Sequence, residues 1–331
     1  MSAQSVLVLG AGSWGTALAL ALTRKQNTVY LWDINSDLIK NLKTEKTNTR
    51  YIPGIPFPEN LIPVESIDQV PPETKMFVNT VPCHGLRSSL PLLKSFSDVH
   101  VCIACKGFEP GTQKFNHQVV KEELPGSSVA VLSGPSFAKE VGAGLPTAVT
   151  IAAEDIAIAQ VFADLFHSDT FRVYTHNDVI GAQIGGAVKN VMAIAAGIAD
   201  GLGFGSNTRS ALVTRGLAEI MRLGLAMGAR QETFMGLAGL GDLVLTCTDN
   251  QSRNRSLGLL LAEGLSVEDA SEKIGQAIEG LKTAKEVAAL AKKYEIEMPI
   301  TDQVNQVLNG VIDPKQAVNV LLTREPRSEL S

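Results

Sequence analysis

Four cysteines in 331 residues are too few to staple a chain of this length, so a hydrophobic core, not a disulfide scaffold, must carry the fold. Nor is there a surplus of positive charge. The formal net charge of -5 leaves no electrostatic footprint for nucleic acid, which sets that class of partner aside. The five histidines, at 84, 100, 117, 167 and 176, fall at no ligand spacing such as H-x-x-x-H, and no metal site is expected. Internal repeats and low-complexity tracts are missing, and the N-terminus has neither the basic flank nor the apolar block of a signal peptide. Long apolar runs are scarce as well. The single stretch that approaches a membrane span, 179–199, carries Lys, Gln and Asn near its centre and is largely Gly and Ala. It reads as the buried helix of a soluble, cytoplasmic protein with no stable membrane insertion.

One C-x-x-C is present, Cys102 and Cys105, inside the apolar run Val99–Cys105. Residues three apart on a strand point to opposite faces, so the pair is read as reduced thiols of a core or a site lining.

The 179–199 stretch holds the main functional signal. Lys189 is its only charged residue. An ammonium in apolar surroundings is costly unless paired, and desolvation favours its neutral form, which suits proton transfer near neutral pH. The bland alternative is a lysine that snorkels to water. Gly185 and Gly186, four and three residues earlier, would clear the helix surface beside Lys189 for a ligand or another backbone.

The first half alternates strands and helices. Strands are expected at Ser5–Leu9, Thr28–Trp32, Lys75–Thr80, Val99–Ala104, Ser128–Leu132, Thr147–Ala152 and Phe171–Tyr174, with helices at Thr16–Arg24, Gly85–Phe96, Thr112–Glu123, Phe137–Val141 and Glu154–Phe166. Thr49–Pro63, with four prolines, reads as a long surface loop. Beyond His176 only helical periodicity remains, over Thr208–Met227, Ser256–Glu263, Ser266–Ile274, Leu281–Lys293, Thr301–Asn309 and Asp313–Leu322, with a frayed tail over Arg324–Ser331. The expectation is an α/β protein: a Rossmann-type doubly wound sheet over residues 1–177, then an all-α substrate and catalytic domain over 178–331.

Gly10-Ala-Gly12-Ser13-Trp14-Gly15 follows a strand and opens a helix, the setting in which G-x-G-x-x-G cradles a dinucleotide pyrophosphate. Gly10 serves the turn, Gly12 the approach of the phosphates and Gly15 the close helix packing. Asp33 ends the second strand, eighteen positions after Gly15, where an acid accepts bonds from the adenosine ribose. That acid leans toward NAD over NADP, although Lys40 and Lys43 could meet a 2′-phosphate. Ala11-Gly-Ser13-Trp-Gly15 also mimics a nucleophile elbow, but neither His167 nor His176 has a setting that suggests a base.

Gly186-Ala-Val-Lys189-Asn190 through Asp200 to Asn207, with Lys106-Gly107, the run 133–140 (SGPSFAKE) and the run 236–255 (GLAGLGDLVLTCTDNQSRNR), resembles the NAD(P)-dependent glycerol-3-phosphate dehydrogenases in their bacterial form, over nearly the whole chain. The resemblance implies reversible, NAD- or NADP-dependent reduction of dihydroxyacetone phosphate to sn-glycerol 3-phosphate for glycerophospholipid synthesis, by a cytoplasmic homodimer. By that resemblance Lys189 is the proton acceptor for alcohol oxidation, with Lys106, Asp242 and Thr246 as its catalytic companions. The same resemblance implies Lys106, Gly134, Ser136, Lys189, Asn190, Asp242, Ser252, Arg253 and Asn254 as the substrate contacts. Ser13, Trp14, Ile34, Lys106, Ala138, Arg253, Ala277 and Glu279 join Gly10, Gly12, Gly15 and Asp33 at the cofactor. Blander readings stand beside these: a strand-end surface lysine for Lys106, a helix start at Gly134-Pro135, a solvated acid for Asp242. Where many relatives carry Arg or His after the second strand, this chain has Asp33-Ile34-Asn35, so cofactor preference does not carry over. Two rival functions are a related Rossmann dehydrogenase of another hydroxy acid and a non-catalytic dinucleotide-sensing protein.

Overall fold

The structure is a computed structural model that describes residues 4–325 and 328. The tail expected over Arg324–Ser331 therefore lies outside the described residues except at Arg324, Glu325 and Ser328. Two compact units divide the chain, Met1–Gln183 with Gly236–Ala238, and Ile184–Met235 with Gly239–Ser331.

The first unit is built on strands β1 (Ser5–Leu9), β2 (Thr28–Trp32), β3 (Thr47–Asn48), β4 (Ile52–Pro56), β5 (Leu61–Val64), β6 (Met76–Asn79), β7 (His100–Ile103), β8 (Ser128–Ser133), β9 (Thr147–Ala152) and β10 (Phe171–His176). Its helices are α1 (Ser13–Thr23), α2 (Ser36–Glu45), α3 (Cys83–Ser89), α4 (Asn116–Glu123), α5 (Ala138–Ala143) and α6 (Ile156–Phe166). Eight strands form one sheet in the order β10-β9-β8-β7-β6-β1-β2-β5, and β3 and β4 make a separate hairpin. Within the eight-stranded sheet pairing is parallel except between β8 and β9, and the β3–β4 hairpin is antiparallel. β1 is buried on both faces: Val6 and Val8 pack in one core cluster, Leu7 and Leu9 in another. Such a strand reads in sequence as an unbroken apolar run. Cys102 lies in the first cluster and Cys105 in the second, on opposite faces as their spacing requires.

The chain leaves β1 toward β2 on one side and returns to β6 on the other, so the topological switch point lies at the ends of β1 and β6, where open α/β sheets bind ligands.

The expected loop at Thr49–Pro63 is corrected. It contains β4 and the edge strand β5, whose Leu61–Val64 pairs in parallel with Val29–Trp32. Pro63 is tolerated because an edge strand needs only one row of ladder donors. Gly134-Pro135 is not a helix start, for α5 begins at Ala138 behind the N-cap Phe137. Gly134 instead has φ +129°, a backbone state that favours glycine.

The second unit is helical: most of α7 (Val179–Gly201), then α8 (Ser206–Ala226), α9 (Gln231–Met235), the last three residues of a π-helical turn at Leu237–Gly241, α10 (Asp242–Thr248), α11 (Arg253–Ala262), α12 (Val267–Ile274), α13 (Glu279–Lys293), α14 (Pro299–Leu308) and α15 (Pro314–Leu322). Residues 181–199 of α7 are all buried, which is why this helix is apolar all round. Among the described residues α7 alone has the length and hydropathy of a membrane span, and 94% of its apolar window is buried inside the protein.

Candidate active site

In the second unit Lys189 is 7% exposed. Its Nζ forms an ion pair with Asp242 Oδ1 and donates to Thr246 Oγ1 at 2.9 Å. Asp242, 1% exposed, opens α10, and Thr246 stands one turn later on the same face. The Thr246 hydroxyl passes its own hydrogen to the carbonyl of Asp242 at 2.6 Å, so its oxygen is turned to accept from the lysine. The π turn before Asp242 is tight. A Cβ on Gly239 would collide with the backbone of Phe234. Lys189 is thus a buried, paired ammonium rather than one reaching for water. Beside it, burial pushes the Cys247 thiol up to about 12, so it remains protonated and inert.

The next residue, Asn190, joins a second network. Asn254 Nδ2 donates to Asn190 Oδ1 at 3.0 Å, and Asn190 Nδ2 donates to Glu279 Oε2 at 3.2 Å. Asn254 Oδ1 accepts from Gly280 N at 2.9 Å, capping α13, whose own N-cap Ile278 offers no side chain. Ser252 caps α11 by accepting from Arg255 N at 3.2 Å. Arg253, at the first position of α11, is half-buried and has no ion-pair partner among the described residues. A guanidinium fork at a helix N-terminus suits a phosphate.

The first unit holds a second constellation. Gly10 has φ +100°, and a Cβ there would stand 2.7 Å from Thr80 Oγ1. A Cβ on Gly15 would collide with the carbonyl of Gly10. Gly12 has nothing within 4 Å of an added Cβ. It is the N-cap of α1, without a side-chain cap and without an acid in the first turn. Open space, uncapped N–H groups and a positive dipole end fit the pyrophosphate of a dinucleotide. The turn is clamped from both sides of Ala11: its N–H donates to Asp33 Oδ2 at 2.7 Å, and its carbonyl accepts from Asn48 Nδ2 at 2.9 Å. The Trp14 indole N–H donates to the carbonyl of Ala104 at 3.1 Å, two residues before Lys106. Lys106 Nζ donates to the carbonyl of Gly134 at 3.2 Å, which also accepts from Ser136 Oγ at 3.0 Å.

Sequence comparison bears on what these two constellations are for. Two family profiles match, the N-terminus of NAD-dependent glycerol-3-phosphate dehydrogenase over residues 5–159 and its C-terminus over residues 178–319. The chain belongs to that family. A glycerol-3-phosphate dehydrogenase [NAD(P)+] of Nitrosococcus oceani is 53% identical over 326 residues, 98% of this chain and 95% of that one. One from Pseudoalteromonas translucida is 50% identical over 329 residues, 98% of each. The crystal structure of glycerol-3-phosphate dehydrogenase from Coxiella burnetii superposes with a TM-score of 0.94 at 46% identity, covering 97% of this chain and 99% of that one. The resemblance read from the motifs, the Rossmann-type sheet followed by helices, and an NAD or NADP cofactor all agree with these matches.

Within the second unit the fold gathers two hydrogen-bonded sets, Lys189 with Asp242 and Thr246, and Asn190 with Asn254 and Glu279. Ala277 is exposed just before α13. Within the first it gathers Gly10–Gly15 with Asp33, and Lys106 with Gly134 and Ser136. Ala138 opens α5, and Ile34 is 89% exposed past β2. Four supporting residues were not singled out by the sequence: Asn48, Thr80, and Arg255 with its partner Asp200. Arg255 Nη2 meets Asp200 Oδ2 at 2.6 Å, and Nη1 donates to Asn250 Oδ1, tying the start of α11 to the end of α7. Asp200 is the first charge after Lys189, which was the available signal.

Proposed function

We propose that this protein reversibly reduces dihydroxyacetone phosphate to sn-glycerol 3-phosphate, the backbone of glycerophospholipids, as a cytoplasmic homodimer without stable membrane insertion. The observation that carries the reading is the buried Lys189 ammonium held by Asp242 and Thr246 in a member of this family. A bound dihydronicotinamide supplies the hydride. The substrate's C2 oxygen gains negative charge as its carbon is reduced, and Lys189 Nζ delivers the proton that neutralises it. In the reverse direction the same nitrogen accepts the hydroxyl proton. Asp242 keeps the ammonium oriented and charge-balanced in a site where an unpaired cation would be costly. Arg253 takes the phosphate, while Asn254 holds Asn190 and the start of α13 in place. In the first unit Gly10–Gly15 and Asp33 hold the dinucleotide, and Lys106 with Gly134 and Ser136 serves substrate and cofactor.

The unpartnered Arg253 favours a phosphorylated substrate over another hydroxy acid. The deciding experiment follows dihydroxyacetone phosphate-dependent oxidation of NADH and NADPH by the wild type and by Lys189→Ala. Turnover in the wild type, lost in the variant while dinucleotide binding persists, is expected. A wild type that binds dinucleotide but leaves dihydroxyacetone phosphate untouched overturns the proposal. Sedimentation equilibrium, expected to return twice the chain mass, tests the dimer.

A further inference from the structure

We propose that Asp33 makes this protein selective for NADH over NADPH. This rests on the dinucleotide reading of the glycine turn and deepens it by naming which nucleotide the turn accepts.

Asp33 directly follows β2, the strand whose end faces the adenosine ribose in sheets of this topology. Its carboxylate is fixed by two backbone donors, Oδ2 taking the Ala11 N–H at 2.7 Å and Oδ1 the Asn35 N–H at 2.9 Å. Each oxygen retains acceptor capacity, so the group presents fixed negative charge and lone pairs to a ribose diol. A 2′-phosphate in place of the 2′-hydroxyl would meet that charge directly.

An acid here can be tolerated by NADPH if a cation stands close enough to offset it. Lys40, Lys43 and Arg50 of this stretch each have another contact. Lys43 Nζ is paired with Glu65 Oε1 at 2.7 Å, and Lys40 Nζ leans on Asp37 Oδ1 at 3.6 Å. Arg50 stacks over the ring of Tyr51, 5.2 Å from its centroid. The residue after Asp33 is the exposed, uncharged Ile34, and the next, Asn35, is committed as the N-cap of α2 through its side chain. The first turn of α2 adds Asp37, which lowers the anion affinity of that helix end. The sequence left Lys40 and Lys43 open as phosphate ligands; the Glu65 partner of Lys43 comes from the fold, whereas Asp37 is a neighbour of Lys40 on the same helix.

Calorimetric titration of the wild type and of Asp33→Asn with NADH and with NADPH tests this without turnover. Asparagine keeps an oxygen for the Ala11 N–H but drops the charge, so the turn is preserved. The wild type is expected to bind NADH about tenfold or more tighter than NADPH, and Asp33→Asn to narrow that ratio by about tenfold, mainly through better NADPH binding. Circular dichroism of the variant establishes that it is folded, and Asp33→Ser is the substitute if it is not. Equal wild-type affinities, tighter NADPH binding, or an unchanged ratio in the variant overturn the assignment while leaving the dinucleotide reading intact. Binding of neither nucleotide overturns that reading itself.

Discussion

The carboxylate of Asp242 holds the ammonium of Lys189 from fifty-three residues away, with both groups buried. Since Asn has the shape of Asp without the charge, Asp242→Asn separates orientation from electrostatics. A fall in kcat for dihydroxyacetone phosphate of roughly 10²–10⁴ is expected, with the KM for the dinucleotide unchanged. Thr246→Val removes one acceptor for Nζ and is expected to cost only about tenfold. Steady-state kinetics on both variants check the order, and a Thr246→Val loss as large as that of Asp242→Asn counts against the carboxylate as the principal partner.

Gly12 and Gly15 separate ligand space from protein space. Gly12→Ala meets nothing in the protein, so its melting temperature should match wild type while dinucleotide affinity drops by about tenfold or more. Gly15→Ala forces a Cβ into the carbonyl of Gly10 and should cost about 1–3 kcal/mol of stability. Thermal melts paired with NADH titration distinguish them, and a destabilised Gly12→Ala would contradict the open space seen there.

The same contrast marks how far the sequence could be read. Lys189 was visible because one charge in a string of Gly, Ala and Val is a one-dimensional signal, and Gly10–Gly15 because strand, turn and helix are contiguous. Asn48 was not. It reaches Ala11 across thirty-seven positions, from just before the proline-rich stretch that reads locally as loop, and only the fold brings the two together. β5 was missed for a related reason: Pro63 argues against a strand unless that strand is known to be at an edge, which is a property of the whole sheet. Arg255 and Asp200 look like ordinary surface charges until α7 and α11 are packed, with Gly197 and Gly258 so close that a Cβ on either would strike the other helix.

That packing makes the Arg255–Asp200 pair a stability determinant. Both side chains are nearly buried, at 7% and 11% exposed. Removing one partner strands the other charge, so Arg255→Met should cost about 3–5 kcal/mol, and adding Asp200→Asn should recover part of that loss. Arg209, which donates to Asp200 Oδ2 at 2.9 Å, moderates the effect by keeping one cation on the carboxylate. Urea unfolding of the two single variants and the double variant measures the coupling, and strictly additive losses would show that the pair is incidental.

Glu219 gives the protein a pH dependence that can be predicted in sign. It is 1% exposed and caps α14 from another helix, accepting from Ile300 N at 2.7 Å, Thr301 N at 3.2 Å and Thr301 Oγ1 at 3.0 Å. The N-cap of α14, Met298, provides no side chain for this purpose. Burial pushes the Glu219 carboxyl up from its ordinary 4.5 to about 7, against the opposing pull of those bonds. A pKa raised on folding means the folded state holds the proton more tightly than the unfolded chain. The stabilisation is therefore complete below about pH 4.5 and is lost as pH rises to about 7. The loss amounts to about 3 kcal/mol. Glu219→Gln cannot ionise and lacks this slope, whatever its absolute stability after losing one acceptor. Urea unfolding at about pH 5 and pH 8 should show the wild type losing about 2–3 kcal/mol relative to Glu219→Gln between the two. A difference that stays constant over that range would mean Glu219 is ionised throughout, with the three donors outweighing its burial.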